Sequence, residues 1–335
     1  MPRKILIPLP DLDFDVTEVA VPWRLFTDAG HEVVFATEHG ATPAADPLLL
    51  RGVLFGKLGA DPEPRAFYDA LTHDPAFQRP RIWANLDMHE FDALLLPGGH
   101  AQGMRQYLGS EVLQRQVATF WALRRPVAAI CHGVLVLARC HDPATGKSLL
   151  WDRRTTCLPA YMERLAYYLS AWKLGRYYRT YPAYVETEVR EALERPSQFV
   201  RGPLTIGSRG SANDDRHAFI VEDDNYLSAR WPGDAYLLAR RFLEVLAAGL
   251  TGDVKADYYS GALDRHALEH WTVPWCEIYL LPDARVAIIH HESTFVSCEL
   301  RSMEDVLAGR SRLGLSDELQ RVREAFERHL GPLAP

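Results

Sequence analysis

Apolar residues gather at Lys4–Leu9 in a short run, which predicts a strand covered on both faces. Val16–Ala29 then reads as a helix, stopped by Gly30. The two textures keep alternating. His31–Ala36, Asp92–Leu96 and Pro126–Ile130 read as further strands, and Glu111–Leu123 as a helix with apolar spacing. Arg154–Leu158 and Tyr226–Ala229 read as shorter strands, and Asp234–Leu246 as a long amphipathic helix. Strands alternating with helices predict an α/β fold with a doubly wound, mostly parallel sheet. Ligands in such sheets bind at the carboxyl ends of the strands. The Gly98-Gly99 turn and Cys131 both follow strands directly, so they can share one cleft.

Two stretches interrupt this rhythm. Residues 37–90 hold many Pro, Gly and Asp breaks and read as an insertion with a helix near Ala66–His73. Residues 158–203 carry two helical stretches and a tyrosine-rich segment with Tyr167, Tyr168, Tyr177, Tyr178, Tyr181 and Tyr184. Packing is the ordinary use of such a cluster; part of it can also cover the cleft. After Thr251-Gly252 the texture changes. Glu277–Leu281 and Val286–His290 are strand-like and separated by Pro282-Asp283-Ala284-Arg285, which reads as a hairpin turn. Phe295–Leu300 can add a third strand, and Ser316–Leu330 reads as a closing helix with Ser316 as its N-cap. The expected division is residues 1–252 as the α/β domain and 253–335 as a small α+β appendage, with no internal repeat.

Composition adds mainly exclusions. Hydrophobic residues make up 47% and charged residues 24% of 335 positions, as in an ordinary globular chain. A net charge of −7 with no evident basic face argues against a nucleic-acid partner. No apolar stretch is long enough to cross a membrane, so no membrane partner is expected, and the first residues lack a signal-peptide core. Five cysteines, at 131, 140, 157, 276 and 298, are widely spaced with no C-x-x-C pair. That spacing suggests neither a disulfide framework nor a zinc ribbon, and a cytoplasmic location is expected. No metal and no organic cofactor are expected.

The chemistry concentrates in Val127-Ala128-Ala129-Ile130-Cys131-His132-Gly133. An apolar strand ends at a cysteine, and a helical pattern begins at once with Gly133-Val134-Leu135-Val136-Leu137. This is the layout of a nucleophile elbow, a crowded turn that needs small residues two before and two after the reactive side chain. Ala129 and Gly133 meet that need. The helix N-terminus then faces the sulfur and is expected to favour thiolate over thiol. His132 is the candidate acid–base partner, because an imidazole titrates near working pH. Asp234 or Asp223 could orient a histidine, and nothing in the sequence selects either.

With these residues in hand, the chain resembles the ThiJ/PfpI superfamily, which includes the DJ-one protein and lies near type 1 glutamine amidotransferases. The matching pieces are Phe14-Asp15-Val16-Thr17-Glu18, Ala29-Gly30-His31-Glu32-Val33, Leu96-Pro97-Gly98-Gly99-His100-Ala101, Ala129-Ile130-Cys131-His132-Gly133 and Ser228-Ala229-Arg230-Trp231-Pro232-Gly233-Asp234. They span roughly residues 3–250. The resemblance implies a flavodoxin-like, glutamine amidotransferase-like sheet and a homodimer. It implies that Glu18 hydrogen-bonds the Cys131 sulfur, that backbone N–H groups of Gly98, Gly99 and His132 receive an oxyanion, and that His100 can line the cleft. The glutaminase form of this elbow places an H-x-E pair after the last core strand. Here that position reads Arg230-Trp231-Pro232-Gly233-Asp234, and an H-x-E spacing occurs instead at His290-His291-Glu292, in the appendage.

The expectation is a cysteine-dependent hydrolase or lyase acting on a small carbonyl compound, as in glyoxalase III-like conversion of a 2-oxoaldehyde to a 2-hydroxy acid. The same cysteine could serve an amidase, an isonitrile hydratase or a peptidase. A redox-sensing or chaperone role without turnover is the alternative from outside enzymology.

Overall fold

The computed structural model describes residues 2–52, 59–179, 181–205, 207–259, 267–273, 276–281, 285–291, 296–302, 306 and 316–330. The chain divides into two compact units, Pro2–Val245 and Leu246–Pro335. The division falls inside a helix, Ala235–Tyr259, that runs well past the expected end at Leu246 and through Thr251-Gly252. A glycine inside a helix costs only about 1 kcal/mol against alanine, too little to stop one by itself.

The first unit is built on seven strands: β1 Lys4–Pro8, β2 Glu32–Thr37, β3 Arg81–Ile82, β4 Ala93–Leu96, β5 Val127–Ile130, β6 Ile220–Asp223 and β7 Tyr226–Ala229. Their order is β3-β2-β1-β4-β5-β7-β6, and every pairing is parallel except the β6–β7 hairpin. Ile5, Leu6 and Ile7 of β1, all of β4 and all of β5 are buried, as their unbroken apolar runs require of strands covered on both sides. The sheet is the mostly parallel α/β sheet read from the sequence, with the helices Val16–Asp28 (α1) and Glu111–Ala122 (α2) in their expected places.

Two local readings are corrected. Arg154–Leu158 is not a strand: Thr155 forms only an isolated bridge with Phe199, and Thr156 N–H donates to Ser228 Oγ at 3.0 Å. The sheet edge goes instead to β6, which the turn at Asp224-Asn225 folds back onto β7, with Asp224 in the left-handed region at φ 59°. Residues 37–90 are more structured than their breaks suggested. Asp46-Pro47, Asp61-Pro62 and Asp74-Pro75 each start a helix, with Asp at the N-cap and Pro in the first turn. Asp46 accepts from Leu48 N–H at 2.8 Å and Asp74 from Ala76 N–H at 2.7 Å. The expected helix near Ala66–His73 is Pro62–Leu71, and the same insertion returns β3 to the outer edge.

The second unit contains a four-stranded antiparallel sheet of Glu269–Val273, Cys276–Leu280, Arg285–His291 and Val296–Ser302. Its first strand is unannounced by its mixed polarity, and the turn residues 282–284 lie outside the described residues. Cys276, Ile278, Leu280, Val286 and Ile288 alternate onto one face and pack with Val322 and Ala325 of the helix Ser316–Leu330.

Candidate active site

Cys131 sits where β5 ends and a single turn, Cys131–Gly133, leads into the helix Val134–Arg139. Its φ is +58°, a left-handed conformation that costs a non-glycine residue on the order of 1–3 kcal/mol. The elbow is as crowded as its sequence implied. A Cβ on Gly133 would lie 2.1 Å from the Leu96 carbonyl oxygen. Gly133→Ala is therefore expected to destabilise the protein by at least about 1–3 kcal/mol, the usual cost of overpacking. An unchanged denaturant midpoint would show that β4 is not pressed against the elbow.

Glu18 reaches this turn from α1. Asp15 caps the helix, accepting from Thr17 N–H at 2.8 Å and Glu18 N–H at 3.1 Å. Asp15-Val16-Thr17-Glu18 has capping-box spacing, but the box is not closed. The Asp15 N–H donates across to Gly98 O at 2.8 Å, and the Glu18 Oε2 accepts from Gly98 N–H at 2.7 Å. Glu18 is thereby pinned to the loop after β4, its Oε1 buried without a hydrogen-bond partner and its charge felt by the Cys131 thiol. A Cβ on Gly98 would fall 2.6 Å from His132 N and 3.0 Å from Glu18 Oε2, so only glycine leaves room there.

The electrostatics differ from the expected thiolate. Cys131 is 1% exposed. Burial pushes its thiol well above the ordinary range, and the charges of Glu18 and Asp15 push the same way. Glu18 is raised well above its usual value by burial and then by Asp15, and Asp15 itself rises to about 6 through burial. Buried acids this close do not all ionise, and burial shifts both the Cys131 thiol and the Glu18 carboxyl toward their neutral forms. The helix start is too weak a counter to burial: its stabilisation of an anion is about 0.3–1 kcal/mol in exposed settings.

His132 is buried and its Nδ1 lies 3.4 Å from the Cys131 sulfur. Burial holds its pKa well below the ordinary value, helped by His100 and Arg139. A neutral imidazole in the Nε2–H tautomer offers Nδ1 as an acceptor for the thiol proton. His100 packs edge-on to it, ring centroids 4.6 Å apart, and burial lowers the His100 pKa to about 4.

Of the expected site residues, Glu18, Gly98, His100, Cys131 and His132 meet in this one place. The Gly98 N–H is committed to Glu18 and is not a spare oxyanion donor. Gly99 packs elsewhere, where a Cβ would meet Asp13 O at 2.6 Å. Asp234 binds Arg230, and Asp223 accepts from Arg154 N–H at 2.8 Å, so neither is given to a histidine. Glu292 lies outside the described residues, and His290 and His291 belong to a strand of the second unit.

Two residues of the 158–203 region stand out, one of them from the tyrosine-rich segment. Tyr181 packs its ring 5.4 Å from that of His132, and its hydroxyl is buried with no hydrogen-bond partner. Of the tyrosine cluster's other members, Tyr168 is largely exposed, and Tyr177 hydrogen-bonds Asp46. Glu163 is buried on the helix Ala160–Leu174, accepts from Val185 N–H at 3.2 Å, and is raised by burial to about 7. Among described residues, one group of ligand-type side chains converges closely enough for a metal ion: His100, Cys131 and His132, with donor atoms within 4.8 Å of one another. No helix among the described residues is long and apolar enough to cross a membrane.

A doubly wound α/β sheet that presents a left-handed cysteine between a carboxyl and an imidazole defines a cysteine-elbow protein. Residues 9–203 match the family described as ThiJ/PfpI family-like, and the chain belongs to it. It is 28% identical over 257 residues to an uncharacterised protein of Schizosaccharomyces pombe, covering 74% of this chain and 85% of that one. It is 26% identical over 233 residues to a deglycase of Pyrococcus abyssi, covering 70% and 93%. The solved structure of glyoxalase III from Candida albicans superposes with a TM-score of 0.53 at 20% identity, covering 72% of this chain and 97% of that one.

Proposed function

We propose that the protein is a cofactor-independent cysteine enzyme that converts a small 2-oxoaldehyde to a 2-hydroxy acid. The observation that carries this reading is the gathering of three buried side chains, the Cys131 thiol, the His132 imidazole and the Glu18 carboxyl, at one strand end. Relatives named glyoxalase 3 and deglycase support a carbonyl substrate. The His132 Nδ1 takes the thiol proton as the Cys131 sulfur attacks the aldehyde carbon, forming a hemithioacetal. Glu18 gives its proton to the developing alkoxide. Ionised Glu18 then takes the hydrogen of the former aldehyde carbon while the His132 imidazolium protonates the neighbouring carbonyl oxygen, giving an enediol. Glu18 next returns its proton to the adjacent carbon, and the first hydroxyl gives its proton to His132. The first carbon is thereby oxidised to a thioester and the second reduced to a carbinol, with no external redox partner. Water cleaves the thioester, releasing the 2-hydroxy acid and restoring the thiol.

The test is to incubate purified protein with methylglyoxal and phenylglyoxal and assay the 2-hydroxy acid. No product with either, alongside turnover of an amide, moves the reading to the amidase alternative. The redox-sensing alternative is tested by intact-mass measurement after mild peroxide: selective oxidation of Cys131 with no turnover of any carbonyl or amide substrate favours it.

The pH profile tests Glu18. Its folded pKa lies well above the usual value of 4.5. A step that needs the acid form is therefore available at and above that value and is lost as pH rises through the folded pKa. Activity is expected to fall along that alkaline limb. Glu18→Gln, which cannot ionise, is expected to lower kcat and to flatten the limb. An unchanged limb in the variant would assign it to another group.

A further inference from the structure

We propose that His100, Cys131 and His132 form a three-ligand site for a zinc-class ion, and that the bound ion switches off the thiol. The donor set is one sulfur and two imidazole nitrogens, all within 4.8 Å of one another. This combination suits zinc and copper(I) better than hard oxygen-seeking cations such as magnesium or calcium. The spacing can be checked against coordination geometry. Zinc–sulfur and zinc–nitrogen bonds of about 2.3 and 2.0 Å at a tetrahedral angle put the two donors about 3.5 Å apart. The Cys131 Sγ and His132 Nδ1 are 3.4 Å apart before any ion is placed. The His100 ring packs edge to face on His132, centroids 4.6 Å apart, and its donor atom, within 4.8 Å of the other two, closes in on the ion to complete the set.

The way in and the fourth position follow from exposure. Cys131 and His132 are buried, whereas His100 is partly exposed on the loop after β4 and offers the first ligand to an incoming ion. On binding, the Cys131 thiol gives its proton to water and a sulfur lone pair forms the bond to the metal. Three protein ligands leave one tetrahedral position for water, the arrangement of an open rather than a closed zinc site. The sulfur pair that bonds the ion is the pair needed for attack on a carbonyl, and the His132 nitrogen that bonds it is the one facing the thiol. Metal binding and cysteine chemistry therefore exclude each other. Only this inhibitory consequence rests on the proposed function; the binding does not.

Cobalt(II) reports the site without any substrate. Full-length reduced protein, titrated with cobalt chloride, is expected to take up one ion per chain and to show a thiolate-to-cobalt charge-transfer band that added zinc chloride displaces. Cys131→Ser is expected to remove the band. His100→Ala is expected to weaken binding by at least the roughly 10–100-fold seen when only an outer partner of a ligand is changed. Cys140→Ser, altering a buried thiol outside the cluster, is expected to leave the band unchanged. Zinc-dependent loss of turnover, reversed by a chelator, completes the switch. No band, or a band that survives in a folded Cys131→Ser protein, overturns the site. Normal binding with a protein inactive on all carbonyls would leave the site standing and defeat the functional reading instead.

Discussion

Cys131→Ser is expected to cut turnover of a 2-oxoaldehyde by on the order of 1,000-fold or more, while leaving the protein folded. Removing a covalent nucleophile typically leaves only the residual rate from binding and polar stabilisation. A serine hydroxyl is far less acidic than a thiol, and the single neutral imidazole at 3.4 Å is a weak base for it. The structural disturbance is small by comparison. The backbone at 131 is already held at φ +58° by the strand and helix on either side, and serine adopts it no less readily than cysteine. A hydroxyl can donate to His132 Nδ1, so the exchanged atom keeps a partner. The measurement is kcat by product assay beside thermal unfolding of both proteins. Near-normal turnover ends the covalent mechanism, and loss of folding calls for Cys131→Ala as the second variant.

The resting protonation state gives the reaction its timing. Burial favours the neutral form of the thiol, the imidazole and the carboxyl alike, which disfavours charge on these three groups before substrate arrives. Charge develops only as the sulfur attacks, when the imidazole becomes cationic and the alkoxide forms beside the Glu18 acid. A thiolate held ready in the same place would face both the burial penalty and the nearby carboxyls.

The elements that came through in the sequence are those with a local cause. β1, β4 and β5 are short apolar runs because both faces are covered, and that leaves a mark no loop imitates. The elbow was legible because its crowding forbids side chains at 133. Other features depend on partners far along the chain. β3 is a two-residue strand whose pairing with Ala36 and Thr37 carries no pattern of its own. Thr155-Thr156 has strand-like composition, but the stronger local signal of the β6–β7 hairpin takes the sheet edge. The helix starts at Asp46, Asp61 and Asp74 were legible in principle, because Asp-Pro favours a helix N-terminus where proline alone looks like a break. Glu163 had no signal beyond residue type, and nothing in the tyrosine-rich segment singled out Tyr181. What distinguishes them is burial, an unpartnered hydroxyl in one case and a raised carboxyl in the other. The neutral thiol was missed for a related reason: the sequence shows the helix start, but only the fold shows that burial exceeds it.

Asp234→Ala is expected to cost about 3–5 kcal/mol of stability, the usual penalty for stranding one member of a buried ion pair. Both side chains of the Arg230–Asp234 pair are 0% exposed. The pairing is bidentate: Arg230 Nε donates to Asp234 Oδ2 at 2.9 Å, and its second terminal nitrogen to Oδ1 at 2.9 Å. The carboxylate also accepts from the N–H groups of Arg230 and Phe219, at 3.0 and 2.9 Å. The guanidinium further donates to the carbonyls of Pro203 and His217. One pair thus ties the end of β7, the turn Pro232–Asp234 and the loop of residues 203–219 together. Removing Asp234 leaves the buried guanidinium without its counter-charge and strands two backbone donors, whereas replacing both partners by apolar groups would avoid the stranded charge. Asp234→Asn, which keeps the shape and part of the hydrogen bonding, is therefore expected to lose less than Asp234→Ala. Denaturant unfolding reads both variants. Equal and small losses would mean that water reaches the pair and screens it, contrary to its burial.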